Sequence, residues 1–169
     1  QDSQRAMYEA LNQKTRLDDF AHQYLGLSLR RSNNKSEAKR EFQKVLAYKP
    51  TSQRYLDAKM NLGEMALEEK DFREAKNHFG YLERKTRRTP RYSSVVLSLI
   101  HAEMGLKSRF AVCKWMRQLY VKYPGDPALQ SWGLDLHQVE IAGQKTGCMA
   151  GPNDFKTRIR NLQHAGLSQ

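Results

Sequence analysis

The chain has 169 residues, 28% of them charged, and 29 Lys and Arg against 18 Asp and Glu give a net charge of +11. That length suits one ordinary domain, and no run approaches the roughly 18 to 20 apolar residues of a membrane span, so no transmembrane segment is expected. Such an excess of cations draws a protein to polyanions, unless the Lys and Arg are scattered over exposed helix faces and merely keep it soluble.

The chain opens at Gln1 with neither signal peptide nor initiator Met, so an N-terminal piece is expected to have been removed or left out. In chain order, Ala6, Met7, Ala10 and Leu11 read as the second helix of a hairpin that begins upstream. Tyr24, Leu25 and Leu29, then Ala38, Phe42, Val45 and Leu46, form two apolar stripes at helical spacing. The polar run from Arg30 to Ser36 is the turn between them, and Pro50 is expected to end the second helix. Gly26 inside a helix costs about 1 kcal/mol relative to Ala. It makes sense only where another helix approaches closely; Ala38 is expected to answer that need, with Phe42 filling the space beside it.

The next elements repeat this arrangement with Leu62, Gly63 and Ala66, then Ala75, Phe79 and Leu82. Leu25-Gly26 recurs as Leu62-Gly63, Glu37-Ala38-Lys39 as Glu74-Ala75-Lys76, and Phe42 as Phe79, a self-match at a spacing of 37 residues. Repetition at that period marks a stacked helical hairpin. Asp71 to Glu74 reads as a capping box, with Asp71 accepting from the backbone and Glu74 reaching back. The acidic run Glu68, Glu69 and Asp71 is therefore read as structural, and the helix that follows ends between Arg84 and Pro90.

A third hairpin is degenerate. Val96, Leu99, Ile100, Ala102, Glu103 and Met104 predict a first helix ending near Gly105. Val112, Trp115, Met116, Leu119 and Tyr120 predict its partner, stopped by Tyr123-Pro124, but Gly and Ala are missing from the repeat's places. Asp126-Pro127 starts a further helix carrying Leu129, Trp132, Leu136 and Val139. A loop at 143–152 follows, and Asn153-Asp154 opens a last helix with Phe155, Ile159, Leu162 and Ala165, ended by Gly166. The hairpins are thus expected at about 20–50, 54–88, 93–123 and 126–165, in a single domain over 1–169 that starts and stops inside a longer array.

The Leu-Gly pair, the Ala twelve residues after the Gly, the large apolar residue four further on and the closing Pro50 resemble the tetratricopeptide repeat over about residues 20 to 90. The period is 37 rather than that family's usual 34, and its early Trp is replaced by His22 and Lys59. The resemblance implies an all-α fold, a right-handed superhelix of antiparallel helical hairpins. It also implies a non-catalytic scaffold whose first helices line a concave groove, here Gln23, Leu27 and Arg30 from one repeat and Met60, Asn61, Glu64 and Leu67 from the next. Family members that grip chaperone C-terminal carboxylates use Lys and Asn there; Gln23, Leu27, Met60 and Glu64 stand instead. The partner implied is an apolar or amphipathic helix of another protein, or another domain of the same chain.

Outside that groove, Arg84, Lys85, Arg87, Arg88 and Arg91 form the densest charge cluster. Cations at a helix end complement its dipole, which accounts for one or two of them and leaves an anion patch as the functional reading. Tyr81 and Tyr92 are the aromatics nearby, too few for base stacking. Two cysteines, Cys113 and Cys148, fit no metal spacing. A disulfide between them would close a loop of about 35 residues; the preferred expectation is a helix-packing Cys113 and a loop Cys148, since spacing alone does not bring two Cα atoms within reach. His22, His78, His101, His137 and His164 are dispersed, and His137 with Glu140 makes only two ligands. No cofactor, metal or catalytic constellation is expected, and no enzyme activity in this segment.

At the end of the chain, Arg158-Ile159-Arg160-Asn161-Leu162 with Gly166-Leu167 resembles the helical stretch before the catalytic domain of soluble lytic transglycosylases. That resemblance implies the non-catalytic part of a bacterial envelope enzyme, with an anionic polymer as substrate and oxidised cysteines, and it sets the periplasm slightly ahead of the cytoplasm. Nucleic-acid binding through the basic surface is the third reading.

Overall fold

The computed structural model describes residues 2–12, 18–50, 52–123, 139–141, 144–146, 148 and 160. Among these the chain is helical: α1 (Asp2–Asn12), α2 (Asp18–Arg31), α3 (Lys35–Val45), α4 (Gln53–Glu68), α5 (Phe72–Thr86), α6 (Tyr92–Gly105) and α7 (Arg109–Lys122). One short antiparallel ladder joins β1 (Val139–Ile141) to β2 (Gln144–Thr146), with Val139 opposite Thr146. The all-α class is as expected. The helix expected to run through Val139 is extended there instead, and part of the 143–152 loop is paired, in keeping with the β-branched Val139, Ile141 and Thr146. Arg160 is helical; the rest of the expected last helix, and Asp126 to Leu136, lie outside the described residues. No helix among the described residues is long and apolar enough to cross a membrane.

Two compact units, residues 1–82 and 83–169, meet in sequence inside α5. In the first unit α1 packs on α2, α2 on α3 and α3 on α4. Leu25 and Leu29 of α2, Ala38, Phe42 and Val45 of α3, and Ala58, Leu62 and Met65 of α4 form one buried cluster, against which Met7 and Leu27 pack. Tyr24, expected in that stripe, is nearly half exposed and stacks on Phe20 instead. The two glycines have the role foreseen for them, with one change of partner. A Cβ at Gly26 would lie 2.8 Å from the Phe42 ring, and one at Gly63 would lie 2.7 Å from the Phe79 ring. It is the phenylalanine, not Ala38, that closes on the glycine. Pro50 does not end α3, which stops at Val45 and continues into backbone turns over Leu46 to Tyr48.

In the second unit α6 packs on α7. Tyr92, Val96, Leu97 and Ile100 share a buried cluster with Val112, Met116, Leu119 and Cys148. Ile100 stands 37 residues after Gly63, and Met116 37 after Phe79. Bulk has moved from one helix to the other: the flexible Met and a branched Ile share one buried cluster where the first unit sets a rigid ring against a glycine. The hairpin is degenerate in its residues and still fills its core.

The link from first to second helix is the most regular feature. Asn33, Lys70 and Lys107 have φ of 63°, 60° and 57°, and they stand 37 residues apart. Each follows a helix end closed by the same two bonds: Asn34, Asp71 and Ser108 N–H donate to the carbonyls of Leu29, Ala66 and Glu103 at 2.9, 2.8 and 3.0 Å. Asn33, Lys70 and Lys107 N–H donate to Arg30, Leu67 and Met104. That is a Schellman closure, with the left-handed residue at its centre. Asn34, Asp71 and Ser108 then begin the next helix, accepting through their carbonyls from Ala38, Ala75 and Val112. All three are residue types favoured at a helix start, though only Asp71 uses its side chain, which accepts from Glu74 N–H at 3.0 Å. The expected return bond from Glu74 is not made; its carboxylate takes Lys39 Nζ at 2.8 Å.

Candidate functional site

The groove residues expected from α2 and α4 are brought together, but largely to bind one another. Arg30 donates through Nη1 to Asn61 Oδ1 at 2.9 Å and to Glu64 Oε2 at 2.7 Å, and through Nη2 to Glu68 Oε1 at 2.8 Å. Lys35 Nζ reaches the other oxygen of Glu68 at 2.8 Å. Gln23, which is buried, donates to Asp57 at 3.4 Å, and Arg54 donates to Asp19 at 2.7 Å. With Lys35 joining from the start of α3, these rungs form a polar seam between α2 and α4. Burial works against the charge of Arg30, but hydrogen bonds to Glu64 and Glu68 outweigh it and hold its pKa above the ordinary value. Hydrogen bonds from Lys35 and Arg30 hold Glu68 below its own. With its partners about two-fifths exposed, each pair is worth about 1 kcal/mol or less. The apolar members, Leu27, Met60 and Leu67, remain half-buried.

A second cluster occupies the places where the resemblance wanted Trp. His22 meets Glu41 at 2.6 Å, and Glu41 also accepts from Lys44 at 2.7 Å. At the positions 37 residues on stand Lys59 and His78. Lys59 Nζ lies over the paired rings of Tyr55 and Tyr81, 5.8 and 5.3 Å from their centroids, a cation held by aromatic faces. Burial pushes the Lys59 pKa down. His78 is also pushed down, by burial first and then by the Lys59 charge. Its Nδ1 is buried without a hydrogen-bond partner, and its Nε2 faces Glu74 at 3.7 Å.

The anion-patch residues Arg84, Lys85, Arg87, Arg88 and Arg91 are all exposed and all in the second unit. They are not equivalent. Arg87 donates from Nε and Nη2 to the two oxygens of buried Glu83 at 2.9 and 3.2 Å. Tyr92 gives its hydroxyl to the same carboxylate at 3.1 Å and receives Gln118 Nε2. Its ring is fully buried, so it offers no face to a base. Burial and the Glu83 charge raise its pKa.

The patch is one end of a longer cationic stretch that the whole-chain charge concealed. Between residues 84 and 122 there are ten Lys and Arg and one acid, Glu103, which is buried. Four of those cations, Arg109, Lys114, Arg117 and Lys122, lie on α7, which has no acid at all. Counting charge by segment rather than over the chain would have shown it. Cys113 and Cys148 are disulfide-bonded, with Cα atoms 5.0 Å apart. Cys148 is not a free loop residue but sits in the core cluster under α7.

Compared with protein-family models, with curated proteins and with solved structures, the chain matches none of them.

Proposed function

We propose that the chain is a non-catalytic helical-repeat scaffold. Its hairpins would stack in the right-handed superhelix of the tetratricopeptide repeat and hold a protein segment, or another domain of the same chain, in a groove along their first helices. The observation that carries this reading is the Schellman turn recurring three times at a 37-residue interval, because a repeated turn sets successive hairpins up as like units that can stack. Since Arg30, Asn61 and Glu64 are committed to one another, the surface left to a partner there is Leu27, Met60 and Leu67. That composition suits an amphipathic helix.

The test is a display library of amphipathic helical peptides panned against the full chain. Enrichment that disappears when Met60 and Leu67 are changed to Lys is the expected result. A library that yields no binder, or binders indifferent to every surface substitution, would overturn it.

A second reading is favoured by the disulfide: the non-catalytic helical region of a bacterial envelope lytic transglycosylase, working where cysteines are oxidised. Titrating thiols in protein from its native source tests it, and two free thiols would rule it out.

A further inference from the structure

A surface suited to a partner of its own lies on α7. Phe110, Lys114, Arg117 and Val121 fall at i, i+4, i+7 and i+11, one face of the helix, and this face lines a cavity of about 430 Å³. Phe110 is 84% exposed, far more than any other large apolar side chain described. Gln118 and Lys122 belong both to this cavity and to a smaller one of about 190 Å³, which adds Arg87 at the C-terminal end of the helix. The two cavities therefore make one track, apolar at Phe110 and Val121 and cationic along its length. From Phe110 to Lys122 it is about 18 Å long, the span of a three-turn helix.

We propose that this face of α7 docks an acidic amphipathic peptide segment. Its apolar side chains lie against Phe110 and Val121, and its carboxylates pair with Lys114, Arg117 and Lys122. This goes beyond the groove proposed along α2 and α4, because α7 is the second helix of a later hairpin and offers a surface of its own. Charge complementarity selects an acidic partner, because the helix offers four cations and no acid. The exposed Phe110 selects an amphipathic one, because a uniformly charged polymer brings nothing to cover an apolar ring. Single-stranded nucleic acid could stack on Phe110, yet such surfaces present successive aromatic platforms, and Trp115 here is partly buried with Lys114 lying 4.6 Å over its ring. The disulfide at Cys113, on the wall of the same cavity, also belongs to an oxidising compartment, away from nucleic acid.

The experiment is fluorescence anisotropy on the full, disulfide-intact chain. The probe is a labelled helical peptide of about twelve residues with Glu and Leu on opposite faces; a peptide of the same charge without Leu, oligothymidine and phosphatidylglycerol vesicles serve as comparators. Phe110→Ser should weaken the amphipathic peptide about tenfold, and the combined K114E, R117E and K122E substitutions about a hundredfold. Circular dichroism melting checks that these exposed changes leave the fold intact. Unchanged peptide affinity in both variants overturns the proposal, as does tighter, Lys114-dependent binding of oligothymidine or vesicles. If the peptide is indifferent to α7 but lost with Met60→Lys and Leu67→Lys, this inference falls and the scaffold stands. If no peptide binds and the library also fails, the scaffold reading itself falls.

Discussion

Residues 1–82 and 83–169 carry almost the same number of Lys and Arg, fifteen and fourteen, but twelve acids in the first unit face six in the second. The first unit uses its acids internally: Arg30 with Glu64 and Glu68, Lys35 with Glu68, Lys39 with Glu69 and Glu74, Arg54 with Asp19. In the second, Arg87 with Glu83 is a cation bound at the surface to an acid buried beneath it, and the net charge is +8 against +3. One hairpin geometry thus carries two different surfaces. Acids that join helices balance the cations beside them, while a segment with ten cations and one acid carries a net positive field that steers an anionic partner.

The largest expected effects break the comparison at its core. Ile100→Gly removes the bulk that replaces the repeat's glycine and adds a helix-interior glycine, so it should destabilise by about 4 kcal/mol. Adding Met116→Phe restores the first unit's solution, a ring over a glycine, and should recover about half of that loss. Chemical denaturation of the two variants and their combination measures the coupling, and purely additive effects would mean the units do not share a packing plan. Next in size is the disulfide. Its closed loop spans a sequence separation of 35, and the chain-entropy relation gives about 4 kcal/mol for it. Cys113→Ser with Cys148→Ser should lower the melting of the second unit and leave the first unchanged, which site-specific hydrogen exchange can separate.

These two features also mark how far the sequence could be read. Close helix approach at Gly26 and Gly63 is legible because Leu-Gly, Ala and Phe recur together, but that the Phe42 and Phe79 rings rather than Ala38 close on the glycines is not. Ile100 with Met116 was not legible either, because an exchange of sizes preserves volume and erases identity. Asn34, Asp71 and Ser108 were legible in principle, as three helix-starting residues at one interval, but their differing types hide the match. The left-handed Lys70 and Lys107 leave no signal, since Lys has no preference for that backbone region. The seam from Arg30 to Glu64 and Glu68 and the bond from Cys113 to Cys148 depend on distances between residues more than 30 apart in sequence. Such pairs become visible only once helices are packed.

The turn offers a sharper test of equivalence. Lys70 and Lys107 sit in the region glycine favours, φ of 60° and 57°, at a cost of roughly 1 kcal/mol for a residue with a Cβ. Lys70→Gly and Lys107→Gly should therefore each stabilise by up to about 1 kcal/mol, less the entropy that glycine adds to the unfolded chain. Equal gains in thermal melting would show that the two turns are the same structure under the same strain. A gain in one and a loss in the other would separate the units at the feature where they look most alike.

The smallest effect is a slope rather than a loss, and it separates the units by pH. His78 is buried, its Nδ1 has no partner, and Lys59 and Lys39 add positive charge against the pull of Glu74. Its folded pKa is therefore lowered. The unfolded chain takes up the proton below the ordinary value near 6.5 while the folded chain resists, so stability declines as pH falls from there towards the folded pKa. The corresponding positions in the second unit are Val96 and Trp115, which do not titrate. His101 in that unit is also pushed down by burial, but it keeps much of its surface in water, which weakens its share. His78→Gln keeps a polar group of similar size and removes the proton site, so the melting temperature of the first unit should become flatter between neutral and mildly acid pH. An unchanged slope would place the acid sensitivity elsewhere and leave the two units alike in this respect, despite the lysine and histidine that distinguish them.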